Sequence, residues 1–354
     1  MRFSYNFPAV KGVQAGREYY ISMVPLKLLS KLFPTEDEII LPEYRAQRRI
    51  NEARIPDIKR YILDNRNNYV FSALSASIDG KFKFISQDNS DVGILTVDME
   101  SVFLINDGQH RKAAIESALK EDCSLENETI SIVFFEDAGL ARSQQMFTDL
   151  NKHAVKTSNS LANLYDERDE IAVATKNIIN EIPFLYKYTD KERDNLGKNS
   201  SNIFTLNMIY KANQKILHSE FCSEEDKNFL LLYWTEIANN IIEWQELLDK
   251  SLTKKSLRES YIVSLAVTIR AFGKLGRFFY DNRNYDIDKY LKNLKKIDWL
   301  RSNKDWARRT IGENGKVLNS EEAITLTCSK IKQLIGIPLS KEEEQKEKKL
   351  KGKN

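Results

Sequence analysis

The sequence predicts an α+β protein in which a domain that mixes strands and helices precedes an all-α helical domain. Short runs rich in β-branched and aromatic residues, which favour strands, recur up to residue 135. From residue 139 the apolar residues recur instead at the spacing of one helix face. A chain of 354 residues, 42% of them hydrophobic, is also long enough to bury a sizeable core in each of two domains. We therefore expect a mixed domain at residues 1–138, a helical domain at 139–338 and a charged tail at 339–354.

The elements of the mixed domain follow from local patterns. Strands are expected at residues 17–24, 69–78, 81–85, 93–97, 102–105 and 130–135. Helices are expected at residues 25–33, from Pro56 onward and at 109–120, because proline favours a first helical turn and the apolar residues have helical spacing. The dipeptide Asp79-Gly80 predicts a hairpin between the strands on either side of it. The strand, helix and strand between residues 102 and 135 predict a right-handed βαβ unit.

The second domain is expected to contain only helices. Leu140, Met146, Phe147 and Leu150 fit one face of its first helix. Further helices are expected at residues 160–182, 203–218, 224–249, 256–280, 285–297 and 320–335. The tail from Ser340 is nearly all charge, so we expect it to be either disordered or a frayed helix.

The motif Asp107-Gly108-Gln109-His110-Arg111 is the strongest functional pattern in the chain. It joins an apolar, strand-like run to a helix-forming run, so it lies at a strand-to-helix corner. Gly108 permits a sharp turn and the close approach of a ligand, and Asp107 is placed to cap the helix. The N–H groups of a helix N-terminus, the charge of Arg111 and the donors of Gln109 and His110 together suit a phosphate.

The motif also carries a resemblance. It is the motif that names the DGQHR domain, and the surrounding chain resembles the DndB family of DNA sulfur-modification (phosphorothioation) proteins. The likeness includes the segments Leu41–Arg48, Arg54–Asn65 and Gln144–Asn151. Gly108-x-x-Arg111-x-x-Ala114 has the form of the box with which ParB-type and sulfiredoxin-type domains cradle nucleotide phosphates. The resemblance therefore implies a ParB/sulfiredoxin-like fold for the N-terminal domain. It also implies a role as a DNA-binding regulator that represses the modification operon and limits modification.

Other residues are candidates for the same pocket. Arg45, Arg48 and Arg49 are either a charged loop or join Arg111 around an anion, since guanidinium groups suit bidentate phosphate contacts. Asn151 is either a helix C-cap or a pocket residue, and the resemblance favours the pocket because related domains carry an F-x-x-L-N element near their nucleotide site. The expected nucleotide- or phosphate-binding residues are Gly108, Gln109, Arg111, Arg45, Arg48 and Asn151.

An enzyme is the main alternative to a regulator. His110 is either a general base or a hydrogen-bonding or stacking residue, and Asp107 is either a cap or a ligand of metal or water. Related DGQQR-type domains in phage-defence proteins hydrolyse nucleoside triphosphates. A DNA-stimulated NTPase would use His110 and Asp107 as catalytic residues and a nucleoside triphosphate with Mg²⁺ as cofactor, although the chain contains no Walker A loop. A third hypothesis is a structural subunit of the modification complex.

A basic block predicts contact with DNA. Residues 250–316 hold 17 Lys or Arg against 7 Asp or Glu, a local charge of 17 − 7 = +10 in a chain whose net charge is +3. Aromatic residues are interleaved with these charges at helical spacing, which fits a helical core with either a DNA-binding face or an ordinary solvated face. The expected DNA-binding residues are Lys254, Lys255, Arg258, Arg270, Lys274 and Arg277.

The composition excludes several classes of protein. No apolar run approaches the ~20 residues of a membrane span, and the first residues lack the apolar core of a secretion signal. The three cysteines have no CxxC spacing, so we expect buried thiols in a reducing cytoplasm and no iron–sulfur cluster. With only three histidines, no metal site is expected.

These patterns and the resemblance together favour a DNA-binding regulator of the phosphorothioation system with a nucleotide or phosphate pocket at the DGQHR motif. Its expected partners are double-stranded DNA, other proteins of the phosphorothioation complex and further copies of the same chain, with no membrane partner.

Overall fold

Strands and helices both make up large parts of the chain, which confirms the mixed α+β class. The computed structural model describes residues 3–34, 51–136, 145–146, 148–150, 157–197, 199–219 and 221–351. The chain divides into two compact units, Met1–Val155 and Lys156–Asn354, and each unit has its own hydrophobic core. The domain boundary expected at residue 138 lies outside the described residues.

Within its described residues, the first unit contains one seven-stranded sheet. The strands are β1 (Ser4–Gln14), β2 (Arg17–Pro25), β3 (Leu74–Asp79), β4 (Phe82–Ser86), β5 (Val92–Asp98), β6 (Val102–Asp107) and β7 (Thr129–Glu136). Their hydrogen-bonded order is β4-β5-β1-β2-β7-β3-β6, and all neighbours are antiparallel except β3 and β7, which are parallel. The sequence patterns did not predict β1, because Pro8, Lys11 and Gly12 interrupt its apolar residues.

The sheet is strongly curled. Only Gly80 and Lys81 connect β3 to β4, although these strands lie near opposite ends of the sheet order. The rings of Phe7 on β1 and Phe103 on β6 are 6.4 Å apart, whereas four strand spacings in a flat sheet would separate them by ~19 Å. The curl therefore brings the two ends of the sheet around a shared aromatic core.

Three helices pack on the inner face of this sheet. They are α1 (Leu29–Leu32), α2 (Ile55–Asp64) and α3 (Gln109–Leu119), and α1 is preceded by a 3-10 turn at Leu26–Leu28. Leu29, Ile62 and Ile115 are almost fully buried in the same core as the sheet's aromatic residues. Further 3-10 turns at Glu52–Arg54 and Cys123–Asn127 begin α2 and lead from α3 to β7.

Two expectations about strand pairing were wrong. The Asp79-Gly80 turn does not close a hairpin, because β3 pairs with β6 and β7 while β4 pairs with β5. The stretch from β6 to β7 is not a βαβ unit, because β3 lies between the two strands and they run antiparallel. In both cases β3 lies between β7 and β6: five of its six residues are buried, and it is hydrogen-bonded along both edges.

The second unit is largely helical. Its helices are α4 (Asn159–Tyr165), α5 (Glu170–Glu181), α6 (Pro183–Tyr188), α7 (Leu206–Leu217), α8 (Glu224–Asn240), α9 (Ile242–Leu248), α10 (Lys254–Ser260), α11 (Ala266–Asp281), α12 (Ile287–Leu291), α13 (Glu321–Ile335) and α14 (Lys341–Lys351), with 3-10 turns at Lys292–Lys296 and Lys304–Trp306. Trp234, Trp244, Trp299 and Trp306 are all buried in its core. Two-residue parallel strands, β8 (Thr189–Asp190) and β9 (Phe204–Thr205), interrupt the expected all-helical pattern.

Three of the expected long helices are divided in two. The breaks separate α4 from α5, α8 from α9, and α10 from α11. The breaks at Ile241 and at residues 262–264 are buried, whereas the one at residues 166–168 is exposed. Polar residues mark many of the helix starts, and the side chains of Ser158, Asp169, Thr205, Ser223, Thr253, Asp286 and Ser320 each accept a bond from a backbone N–H of the helix that follows.

The charged tail forms a packed helix, which corrects the expectation of disorder or fraying. The backbone N–H of Glu343 donates to Ser340 Oγ, and the Glu343 carboxylate accepts from Lys332 at 2.7 Å. Glu347 is only 4% exposed and forms an ion pair with Arg309. These carboxylates lie one turn apart, so one face of α14 can bury charge against the rest of the unit. No helix in the described ranges has the length and apolar content that a membrane span requires.

Candidate functional site

The DGQHR motif lies at a strand-to-helix corner. β6 ends at Asp107, Gly108 adopts a left-handed conformation with φ of 105°, and α3 begins at Gln109. A Cβ atom on residue 108 would lie 2.3 Å from Leu74 Cδ2 and 2.9 Å from Arg111 Nη2. Both the backbone angle and the packing therefore require glycine at this corner.

Arg111 is held at this corner by two neighbours. Its Nη2 donates to Asp107 Oδ2 at 2.7 Å, and its Nη1 donates to the hydroxyl of Ser72 and, at 3.3 Å, to the Ser72 carbonyl. The Arg111 side chain is 17% exposed and that of Asp107 is 45% exposed, so the ion pair lies at the surface. The sequence did not single out Ser72, because it lies 39 residues from Arg111 in the chain.

Asp107 does not cap α3, contrary to expectation. Gly108 occupies the N-cap position and no side chain caps the helix there. The left-handed glycine places Asp107 one residue outside the cap, with its carboxylate toward Arg111 four residues later. Arg111 lies at the end of the helix where the dipole disfavours a positive charge. The i,i+4 ion pair with Asp107 offsets this unfavourable interaction.

The Nε2 atom of His110 accepts a hydrogen bond and does not donate one. The backbone N–H of Asn51 donates to His110 Nε2 at 3.0 Å. A neutral imidazole with Nε2 as acceptor carries its proton on Nδ1. The Nε2 lone pair, which a general base would use, is thus already engaged, and a catalytic role for His110 and Asp107 stays a prediction. Gln109 is buried, at 8% exposure.

A β-bulge next to the motif buries an asparagine that sequence reasoning missed. Ser75 lies opposite Asp107 and Ala76 lies opposite Ile105, which leaves Asn106 as the extra residue. Asn106 is fully buried, and its Nδ2 donates to Ser77 Oγ at 2.8 Å. Asn106 Oδ1 and Ser75 Oγ have no hydrogen-bond partner among the described residues. In the sequence, this buried amide is indicated by Asn106 itself, a polar residue at the end of an apolar run.

Arg45, Arg48, Arg49 and Asn151 lie outside the described residues. Within the ranges that are described, no group of three or more His, Cys, Asp or Glu side chains is arranged to hold a metal ion.

Four of the six expected DNA-binding residues donate hydrogen bonds within the second unit. Arg258 donates to the backbone carbonyls of Gly197 and Asn202, and burial lowers the pKa of its guanidinium. Arg277 donates to the carbonyls of Ile216 and Leu217, the last residues of α7.

The other two members of this group lie on the same helix, α11, as Arg277. Arg270 donates to Asn319 Oδ1, and Lys274 donates to Thr325 Oγ1 at 2.6 Å. Each of these side chains therefore has a partner within the unit, but an arginine has five N–H donors and a lysine three, so single contacts leave other donors over.

Lys254 and Lys255 differ from these four. They lie in the first turn of α10, and no ion-pair or hydrogen-bond partner for their side chains is found in the described part of the chain. Lys255 is exposed. Their charge remains available to a polyanion.

Two of the cysteine thiols are unreactive at neutral pH. Burial raises the pKa of the Cys222 thiol to about 11 and that of Cys328 to about 12. At neutral pH neither forms the thiolate that sulfur transfer requires. Cys123 is exposed, contrary to the expectation that all three are buried.

The fold and the corner define a mixed α+β protein with a guanidinium group at a glycine-built strand-to-helix turn. A protein-family model described as "DndB: DNA-sulfur modification-associated" matches residues 7–338. The chain therefore belongs to the DndB family and is associated with DNA sulfur modification. No curated protein and no solved structure matched the chain.

Proposed function

We propose that this protein is a DNA-binding regulator of DNA sulfur modification that binds a nucleotide phosphate at the DGQHR corner. The observation that carries the proposal is the Arg111 guanidinium, which lies beside the N-terminus of α3 with a surface carboxylate as its partner. A phosphate there would meet a positive charge and the first N–H groups of a helix.

Asp107 supplies a negative charge where the phosphate would bind. Its carboxylate occupies one arm of the Arg111 fork, and Ser72 occupies the other. A phosphate must therefore replace Asp107, at least in part, to engage Arg111 in two bonds. Asp107 thus acts as an internal competitor that keeps the arginine in place while the site is empty of anion.

The first prediction follows from this competition. Arg111→Ala should weaken binding of a nucleoside triphosphate or inorganic phosphate by tenfold to more than a hundredfold, because one charge-assisted contact is worth about 1.5–3 kcal/mol. Asp107→Asn should instead tighten binding, because it removes the competing charge and a repulsive neighbour. Isothermal titration calorimetry with ATP, CTP, GTP and phosphate measures both effects.

The opposite signs of the two variants distinguish a pocket from a structural ion pair. A purely structural pair predicts equal losses of thermal stability in both variants and no anion binding by the natural protein. Phosphate release measured on the same samples, with Mg²⁺ and duplex DNA, would reveal the alternative NTPase activity.

A second prediction concerns DNA. Lys254→Glu with Lys255→Glu should weaken binding to all duplex sequences and flatten the slope of log K against log salt by about two, since each phosphate contact contributes about −0.9. The fold should survive, because acidic residues are favourable in the first turn of a helix such as α10. Gel-shift titrations at several salt concentrations measure the slope.

A matched control is available on α14. Lys348 and Lys349 are both exposed and lie outside the basic block, so their reversal to glutamate changes the net charge equally. If this control flattens the slope as much as the α10 variant does, the effect is one of net charge and the proposed DNA face is wrong.

A further inference from the structure

The outer face of the curled sheet is apolar and open to solvent. Side chains on its strands alternate, so that Phe7, Tyr20 and Leu95 point into the core while their neighbours point out. The outward neighbours are large hydrophobic residues, between 37% and 61% exposed: Val10, Ile21, Met23, Ile85, Val92 and Ile94. We refer to these six as the outer patch.

The strand register places the outer patch in two adjacent rows. In one row Val92, Val10 and Ile21 lie side by side on β5, β1 and β2, and the row ends at Val133 on β7. In the other row Ile85 on β4 pairs with Ile94 on β5, which pairs with Pro8 on β1. Met23 lies on β2 beside this second row.

The patch is continuous and has no charge inside it. None of the residues in either row is ionisable. The borders of the outer patch carry charges of both signs, on Lys83 and Asp91. A partner that recognised this surface by its charge would need an excess of positive or negative residues on the outer patch. An apolar surface bordered by both signs can face a copy of itself without a net like-charge repulsion, as a two-fold interface between identical subunits requires.

We propose that a second copy of this chain packs its own outer patch against this one, sheet on sheet, with the strands crossing at ~30°. The outer patch exposes on the order of 500 Å² of apolar surface, at the upper end of what monomers leave open. Burial of the patch on both partners would remove on the order of 1,000 Å² in total, the size at which a biological interface is expected. The β-branched rows of the two sheets can interdigitate as in a sandwich core.

The test is the oligomeric state of the full chain and of Met23→Glu. Sedimentation equilibrium or light scattering over a range of ~1–100 μM should show the natural protein moving from 41.1 kDa toward twice that mass. Met23→Glu places two like charges in the interface, so its dimer dissociation constant should rise at least tenfold. Ile94→Lys, on a different strand, tests the same face if the first variant folds poorly.

Val102→Glu is the matched control. Val102 is 58% exposed, comparable with Met23, but lies on β6 outside both rows. It should dimerise like the natural protein. A natural protein that stays at monomer mass throughout the range overturns the proposal, as does a folded Met23→Glu that dimerises with unchanged affinity.

Discussion

The environment of Glu243 disfavours the ionised form of its carboxyl group. It lies on α9, burial raises the pKa of its carboxyl group to about 7, and the nearby Glu246 and Asp298 carboxylates add to this shift. Its Oε2 is buried and has no hydrogen-bond partner in the described ranges. The folded protein therefore favours the protonated acid, whereas the unfolded chain ionises it near the ordinary value of 4.5.

The third prediction follows from that difference. Because the folded-state pKa is raised, the natural protein should lose stability as the pH rises from about 4.5 through 7. Glu243→Gln should remove this loss and be more stable at pH 8 by about 1–2 kcal/mol, after allowance for solvent screening of a partly exposed group. At pH 4 the two proteins should be nearly equal. Urea denaturation at both pH values measures the difference, and equal curves at pH 8 would contradict the assignment.

The DGQHR corner shows how much of a site the sequence specifies. The glycine, the arginine and the strand-to-helix change are adjacent in the chain, so their meeting could be predicted from local pattern. The partners that decide what Arg111 does could not be predicted, since Ser72 is 39 residues away and Asn51 is 59 residues from His110. Long-range pairing sets these contacts, and a single sequence does not display it.

Among the elements, α11 shows how far helical spacing can predict a surface. Arg270, Lys274 and Arg277 do share a stripe, as their spacing predicts, but the stripe packs beside α7 and α13. Arg277 there supplies donors to the last carbonyls of α7, which lack partners within their own helix. Helical spacing identifies a shared face without saying whether that face meets solvent or another helix.

The fourth prediction belongs to α14. The Arg309–Glu347 pair is 11% and 6% exposed, so Glu347→Gln should leave a buried, uncompensated charge and destabilise the second unit by about 2–4 kcal/mol. Glu342→Gln is the control, because Glu342 lies on the same helix in an exposed pair with Lys346, and its loss should change stability far less than the loss of Glu347 does. Thermal unfolding of the two variants measures the contrast. A tail that merely frays would make both substitutions equally harmless.

At the scale of the whole molecule, the two separate cores lead to the fifth prediction. Each unit buries its own aromatic and aliphatic residues, so we expect two calorimetric unfolding transitions. Glu347→Gln should lower the melting temperature of one transition and leave the other in place. A single transition that shifts as a whole would show that the units unfold together.

The mixed α+β class was predictable because strand-like and helical patterns occupy different parts of the chain. The strand order was not, because β3 pairs with β7 across more than fifty residues while its neighbour in sequence, β4, joins the other end of the sheet. Turn signals describe a local reversal of the chain, and this sheet is assembled chiefly from distant partners.

Because β7 lies between β2 and β3 in the sheet, the order of synthesis affects how the first unit folds on the ribosome. Before residues 129–136 emerge, the nascent chain can form only two separate pieces, β4-β5-β1-β2 and β3-β6. Each piece then exposes an unpaired strand edge, on β2 and on β3, which is the kind of edge that recruits other chains. The last strand to be synthesised occupies both edges in a single step. Emergence of the chain as far as Glu136 therefore lets the sheet close and removes both unpaired edges.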